Sequence, residues 1–400
     1  MGKGTRKKAL HLLMGFALAG LVAGCGGTQG ETGKSGGDAV VGDVIKIGAN
    51  LELSGPVASY GQSIAEGIDL AVENLNKSGG INGKKLEVIK VDNKSDAAEA
   101  TNAAIKLTSQ DKVAAIIGAA TSGNTVAQAQ VATNNKTVLL TPTGTSLNIT
   151  LKADGSVNDY MFRTCFIDPF QGRVAANFAA GELKVKSAAI FADSASEYAK
   201  GLAASFKETF TKAGGTIVAQ EAYVAKDTDF RATLTRIKSL NPDSIFIPGY
   251  YEEVGLIVKQ ARELGITIPL IGADGWDSPK LVDLAGAAAL NNTYIANHYS
   301  SEDPDKMIQD FVQAFKGKYS GKAPDGFSAL GYDSVYLLAD GIKRAGSTDG
   351  SKIKDALAQT KDLLLVTGKI TLDKQHNPIK TATVLEYKDG KQTFRTKVNP

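Results

Sequence analysis

Residues 47–93 read IGANLELSGPVASYGQSIAEGIDLAVENLNKSGGINGKKLEVIKVDN. Ile45, Ile47, Ala49 and Leu51 make an apolar strand that runs into a Ser54-Gly55-Pro56 turn. Ile64, Ile68, Ala71, Val72 and Leu75 then recur at helical spacing and form one oily stripe. Gly79-Gly80 stops that helix, and Asn82-Gly83 supplies a tight turn. Leu86, Val88, Ile89 and Val91 begin a second strand. The stretch is a βαβ opening, and a helix between two strands implies a parallel pair.

The alternation continues along the chain. Strands are expected at 44–51, 86–92, 113–118 and 137–141, then at 187–192, 216–223, 244–249, 268–272 and 293–298. Helical patterns fall at about 62–77, 96–109, 124–134, 171–183, 196–213, 229–239 and 252–264. Two such series make an α/β protein of two doubly wound parallel-sheet domains. The polar loop Asp154 to Asp159 separates them, and the chain should cross near Phe162-Arg163-Thr164. Helices at 304–319 and 333–345, and strands at 363–371 and 382–387, are left without a domain by periodicity alone.

Three motifs carry a family resemblance. They are S-G-P-x-A-x-Y-G from Ser54, G-x-x-L-A-V-E-x-L-N from Gly67, and G-G-I-N-G-K-K-L from Gly79. In this order they resemble the opening of the leucine/isoleucine/valine-binding proteins, the type I periplasmic binding proteins that serve ATP-driven amino-acid importers. The resemblance implies two lobes joined by a three-strand hinge. The first lobe would hold 43–163 plus 298–381, and the second 164–297 plus 382–400. It also implies an amino-acid ligand, no cofactor, and an ABC permease and ATPase as partners.

The N-terminus reads as an export signal. Lys3, Arg6, Lys7 and Lys8 precede an apolar run from Leu10 to Gly24 that is too short for a permanent span. Val22-Ala23-Gly24-Cys25 follows directly and looks like a bacterial lipobox, with Cys25 taking the lipid. A plain signal peptide or a buried cysteine is the bland alternative. Residues 26–42 are Gly-rich and suit a flexible tether to the membrane. Gly33-Lys34-Ser35 tempts a phosphate-loop reading, but Thr28 stands where that motif needs glycine and no strand precedes it.

Composition excludes several classes. Four of the 45 basic residues and none of the 42 acidic ones fall in the first 25, so the remainder is near neutral and no basic stripe invites nucleic acid. Of the two cysteines, Cys165 is left alone among apolar neighbours and reads as a small buried hydrophobe. His11 lies in the signal, while His298 and His376 have no second ligand at metal spacing. Neither G-x-S-x-G nor a dinucleotide G-x-G-x-x-G follows the first strand, so no catalytic constellation is in view.

Ligands of open parallel sheets sit beyond the carboxyl ends of the strands. Three loops there stand out. Gly118 to Thr125 leads into a helix that Ser122 is placed to cap, where free N–H groups favour an anion. Thr141 to Ser146 offers several hydroxyls, and Gly272 to Trp276 offers one carboxylate and an indole. Donors for a carboxylate and acceptors for an ammonium suit a zwitterion. The resemblance maps carboxylate and ammonium contacts onto Ser122, Thr143 and Thr145, with Asp274 as ammonium partner and Tyr250 and Tyr60 as aromatic contacts. The bland alternatives, which weigh less for Ser122, Thr145 and Asp274, are ordinary cap and turn residues for Ser122 and Thr145, an Asx-turn residue for Asp274 and packing for the tyrosines. Trp276 either lines a side-chain pocket or packs under its loop, and Phe327 reads as scaffold or pocket wall.

Two features depart from better-known relatives, which often carry glutamate at the Asp274 position and a cysteine pair linking the loops at Ser95 and Thr121. A receptor for urea, short amides or an aromatic acid on the same fold remains open, as does a sensory module that transports nothing.

Overall fold

The computed structural model describes residues 44–399. The expected signal peptide, Cys25 and the tether lie outside the described residues.

The chain opens with β1 (Ile45–Leu51), α1 (Ala58–Lys77), β2 (Leu86–Asp92), α2 (Ala97–Ile105), β3 (Ala115–Gly118), α3 (Ser122–Asn134), β4 (Val138–Thr141) and β5 (Met161–Arg163). These five strands pair in parallel in the order β2-β1-β3-β4-β5. The short strands β3 and β4 are buried along their whole length, as a sheet covered on both faces requires.

After Arg163 the same arrangement begins again with α4 (Asp168–Gly181), β6 (Ser187–Asp193), α5 (Glu197–Lys212), β7 (Thr216–Tyr223), α6 (Arg231–Ser239), β8 (Ser244–Phe246), α7 (Tyr251–Glu263), β9 (Leu270–Gly272), α8 (Pro279–Ala285) and β10 (Thr293–Asn297). Its parallel strands run in the order β7-β6-β8-β9-β10, the order of the first sheet.

Beyond Asn297 come α9 (Lys306–Lys318), α10 (Gly326–Ala345), α11 (Gly350–Ala358) and a small antiparallel sheet of β11 (Leu363–Leu365), β12 (Gly368–Leu372) and β13 (Pro378–Ile379). α10 returns to α1 in the first lobe. A Cβ on Gly67 would stand 2.0 Å from the Ser328 carbonyl oxygen, and one on Gly331 2.5 Å from that of Ile64. Glycine at both positions lets the two helix backbones touch. Finally β14 (Ala382–Lys388) adds antiparallel to β10, and β15 (Lys391–Val398) closes the edge of the second sheet. The chain thus passes between the sheets three times, after Arg163, after Asn297 and before Ala382.

α1 starts at Ala58, earlier than the apolar spacing predicts, so Tyr60 belongs to its first turn and not to the preceding loop. β15 reads KQTFRTKV; as an exposed edge strand it has few apolar positions to reveal it.

Candidate functional site

Both sheets have the strand order 2-1-3-4-5, which reverses direction between the first and third strands of each set. A crevice opens at that reversal, beyond the strand carboxyl ends. In the first lobe it lies between the loops after β1 and β3. In the second it lies between those after β6 and β8. The two crevices face each other.

The first-lobe wall is braced by a carboxylate that periodicity does not reveal. Glu52, just after β1, accepts hydrogen bonds from the N–H groups of Ala120 (2.9 Å) and Thr121 (3.1 Å), from the Thr121 hydroxyl (2.9 Å) and from Asn124 (2.9 Å). Two N–H groups beside the start of α3 are therefore taken by the protein's own anion. Thr121, not Ser122, is the capping position, and Ser122 is the first helical residue. The Ser122 hydroxyl oxygen accepts the Ser146 N–H at 3.2 Å, which leaves its proton for a ligand. Thr143 donates to the Ala120 carbonyl at 2.7 Å and keeps lone pairs for an incoming N–H.

Thr145 is buried but does not line the enclosed space. Its hydroxyl lies beside the buried Asp168 carboxyl, whose charged form it favours, too far off-line for a well-formed hydrogen bond among the described residues. The loop that carries Thr143 and Thr145 is pinned by buried Arg163, which donates to the carbonyls of Gly144 and Ser146, both at 2.8 Å. Cys165 contacts the same Gly144 carbonyl at 3.1 Å, and burial pushes its thiol up to about 12.

In the second lobe Asp274 starts a 3-10 turn directly after β9 and is almost fully buried. Its Oδ1 accepts the Tyr198 hydroxyl at 2.7 Å, and its Oδ2 lies 2.9 Å from His298 Nε2. The Tyr198 oxygen accepts the Gly275 N–H at 2.9 Å, which fixes the turn. Trp276 packs beneath the loop: its indole donates to the Ile247 carbonyl at 2.9 Å, and its ring fills the space where Gly272 lacks a side chain. Tyr250 stacks on Tyr198 with centroids 5.1 Å apart. Burial pushes the phenols of Tyr60, Tyr198 and Tyr250 up, so all three stay protonated.

The lobes meet around this wall. Tyr60 donates to the Gly275 carbonyl across the cleft and accepts the Tyr251 N–H at 3.1 Å. Tyr251 in turn donates to the Pro56 carbonyl at 2.8 Å, and Ser59 meets Ser278 at 2.8 Å. Gly326 N–H, at the start of α10, donates to Asp277 at 2.8 Å. Phe327 lies flat on Tyr60, centroids 4.2 Å apart. With the lobes in contact a space of only about 10 Å³ remains, walled by Tyr60, Ser122, Thr143, Tyr198, Tyr250 and Asp274, with Phe327 at one side.

Five of the six expected ligand residues thus converge on one cavity, and Thr145 stands behind it. Tyr198, His298 and Glu52 are the additions, and Phe327 stands as pocket wall. His298 looks isolated in sequence because its partner is 24 residues away on a neighbouring strand end. Among the described residues no group of three or more His, Cys, Asp or Glu side chains could hold a metal ion.

Residues 44–392 match the family described as periplasmic binding protein. The chain is 32% identical over 328 residues to the Leu/Ile/Val-binding protein BraC3 of Rhizobium johnstonii, covering 82% of this chain and 87% of that one. It is 30% identical over 357 residues to the leucine-, isoleucine-, valine-, threonine- and alanine-binding protein of Pseudomonas aeruginosa, covering 89% and 92%. The branched-chain amino acid transporter substrate binding protein LivJ from Streptococcus pneumoniae, solved with isoleucine, is 41% identical with a TM-score of 0.83, covering 90% and 100%. A solute binding protein of an R. palustris ABC transporter, solved with benzoate, is 26% identical with a TM-score of 0.80, covering 90% and 97%.

Proposed function

The chain belongs to the periplasmic binding proteins, and from that premise we propose that it captures a branched-chain α-amino acid between its two lobes and delivers it to an ABC importer. The observation that carries this reading is Asp274. A carboxylate buried in a cavity wall, with one bond to each oxygen already made, retains lone pairs for one more donor. The ammonium of an amino acid supplies that donor and the compensating charge. Across the cavity, the Ser122 proton suits the ligand carboxylate, and the Thr143 oxygen suits a second ammonium hydrogen. Tyr60, Tyr198, Tyr250 and Phe327 give an aromatic box for an apolar side chain.

In this reading the ligand docks first on Ser122 and Thr143, and closure then brings Tyr250 and Asp274. Closure removes the charged groups from water and strengthens each of their interactions. The reading assigns no catalytic role to any residue and places the receptor outside the cytoplasm, held to the membrane through Cys25. Benzoate-like acids and amides have no ammonium to offer Asp274, which disfavours them here.

The test is equilibrium titration of wild type and Asp274→Ala with isoleucine and its α-keto acid. Wild type should bind isoleucine and not the keto acid. The variant should lose about 3–5 kcal/mol, the cost of breaking a buried charge pair. Unchanged isoleucine affinity in the variant would remove Asp274 from the site.

A further inference from the structure

The ring that holds Asp274 belongs to the hinge. His298 is the first residue after β10, where the chain leaves the second sheet. Its side chain is only 2% exposed and stacks on Phe166 with centroids 3.7 Å apart. Nε2 reaches Asp274, and Nδ1 has no hydrogen-bond partner among the described residues. His298 also lines a groove of about 170 Å³ along the hinge, together with Tyr299, Asp303, Thr367, Thr381 and Thr383. Asp274 and His298 follow β9 and β10, neighbouring parallel strands with Gly272 opposite Ile295. One sheet carries both ends of the bond, so lobe opening does not break it.

We propose that His298 is a positioning residue that fixes the place and the charge of the ammonium-binding carboxylate, and that a proton taken up at Nδ1 from the hinge side lowers the affinity for the amino acid. The inference rests on the assignment of Asp274 to the ligand ammonium. An ionised carboxylate only accepts, so the neutral ring is the tautomer with its proton on Nε2. That donor and the Tyr198 hydroxyl clamp the two oxygens and set the carboxylate plane. When Nδ1 is protonated, the imidazolium compensates Asp274 internally, and the ligand ammonium meets a neutral pair.

Burial opposes this proton and pulls His298 below its ordinary range; Asp274 works against that pull and the buried Lys380 ammonium adds to it. Of the other ionisable groups nearby, burial keeps Cys165 and Tyr198 neutral and pushes Asp168 well up, which makes Asp168 a second proton acceptor that the His298→Gln profile separates from the ring, and Asp303 in the hinge groove is paired with Lys397. Proton and ligand ammonium compete for one carboxylate. Isoleucine affinity is therefore level at neutral pH and weakens only in acid, below the ordinary histidine range, by at most tenfold per pH unit.

The experiment is calorimetric titration of isoleucine between about pH 5 and 8 into wild type, Asp274→Ala, His298→Gln, His298→Ala and His376→Asn. Glutamine keeps an N–H for Asp274 and cannot titrate: it should bind within about threefold of wild type at neutral pH and show no weakening in acid. His298→Ala should lose about tenfold or more at neutral pH, also with a flat profile. His376→Asn should keep the wild-type profile. Nitrogen-15 spectra of wild type should show the Nε2–H tautomer and an imidazole pKa that falls when isoleucine binds, a readout that stands even where a variant does not fold. Wild-type affinity in Asp274→Ala would sink the parent assignment. Lost binding there, together with a wild-type acid profile in His298→Gln or an Nδ1–H tautomer, would overturn the role of His298 and leave Asp274 in place.

Discussion

Replacing Tyr60 by phenylalanine removes one oxygen from the seam between the lobes and nothing else. In the closed form that oxygen donates to the Gly275 carbonyl and accepts the Tyr251 N–H at 3.1 Å. Both partners belong to the second lobe, while Tyr60 stands on α1 in the first. The phenylalanine ring keeps its stack on Phe327 and its edge contacts with Tyr250 and Tyr251. What is lost is two hydrogen bonds in a buried setting, with a carbonyl and an N–H left unpaired. The cost is about 1–3 kcal/mol. In the open form water satisfies all three groups, so the whole loss falls on closure. Isoleucine affinity should drop about 5- to 150-fold, while the melting temperature of ligand-free protein stays put. Calorimetry gives the first quantity and a thermal scan the second; small-angle scattering should show a smaller compaction on adding ligand. Affinity within twofold of wild type would refute the latch. A melting temperature that falls in step with affinity would make Tyr60 a core residue instead.

Two further outcomes follow from the hinge. Burial lowers Lys380 to about 8, with Asp333 pulling the other way. An unfolded lysine titrates near 10.4, so the unfolded chain holds a proton that the folded one has released between about pH 8 and 10.4. Stability should therefore rise with pH across that window, by about 3 kcal/mol, and Lys380→Met should flatten the rise. The difference between the two denaturation curves cancels the tyrosines; identical slopes would refute the shift. The Cys165 thiol, buried and pushed up to about 12, should resist a thiol reagent in the native protein and react fully on unfolding. Prompt native labelling would contradict that burial.

The βαβ rhythm was legible because parallel strands covered on both faces are almost wholly apolar. β1, β3 and β4 announce themselves in this way. β5 and α8 are too short for a period to register, and β15 is too polar. The lobe that receives α10 is set by backbone contacts with α1, which no local pattern encodes. In the site, residues at strand ends were visible by position. Those defined by a partner were not. Glu52 is a single acidic residue after a strand, and its role comes from Ala120 and Thr121 arriving opposite it. Thr145 sits in the expected loop, but the Arg163 clamp on Gly144 and Ser146 accompanies a turn that sends its hydroxyl toward Asp168.

The contact of α1 with α10 also orders events during synthesis. Ser63 and Asp325, bonded at 2.6 Å, are 262 positions apart. A ribosome that has finished β10 has made every strand of the first sheet, but α1 still lacks the helix that covers it. The second sheet waits too, for β14 and β15 at the far end of the chain. Neither lobe can close its core on a partial chain, and such long-range contacts form slowly. A nascent chain that stops short of β15 therefore lacks the contacts that complete both lobes.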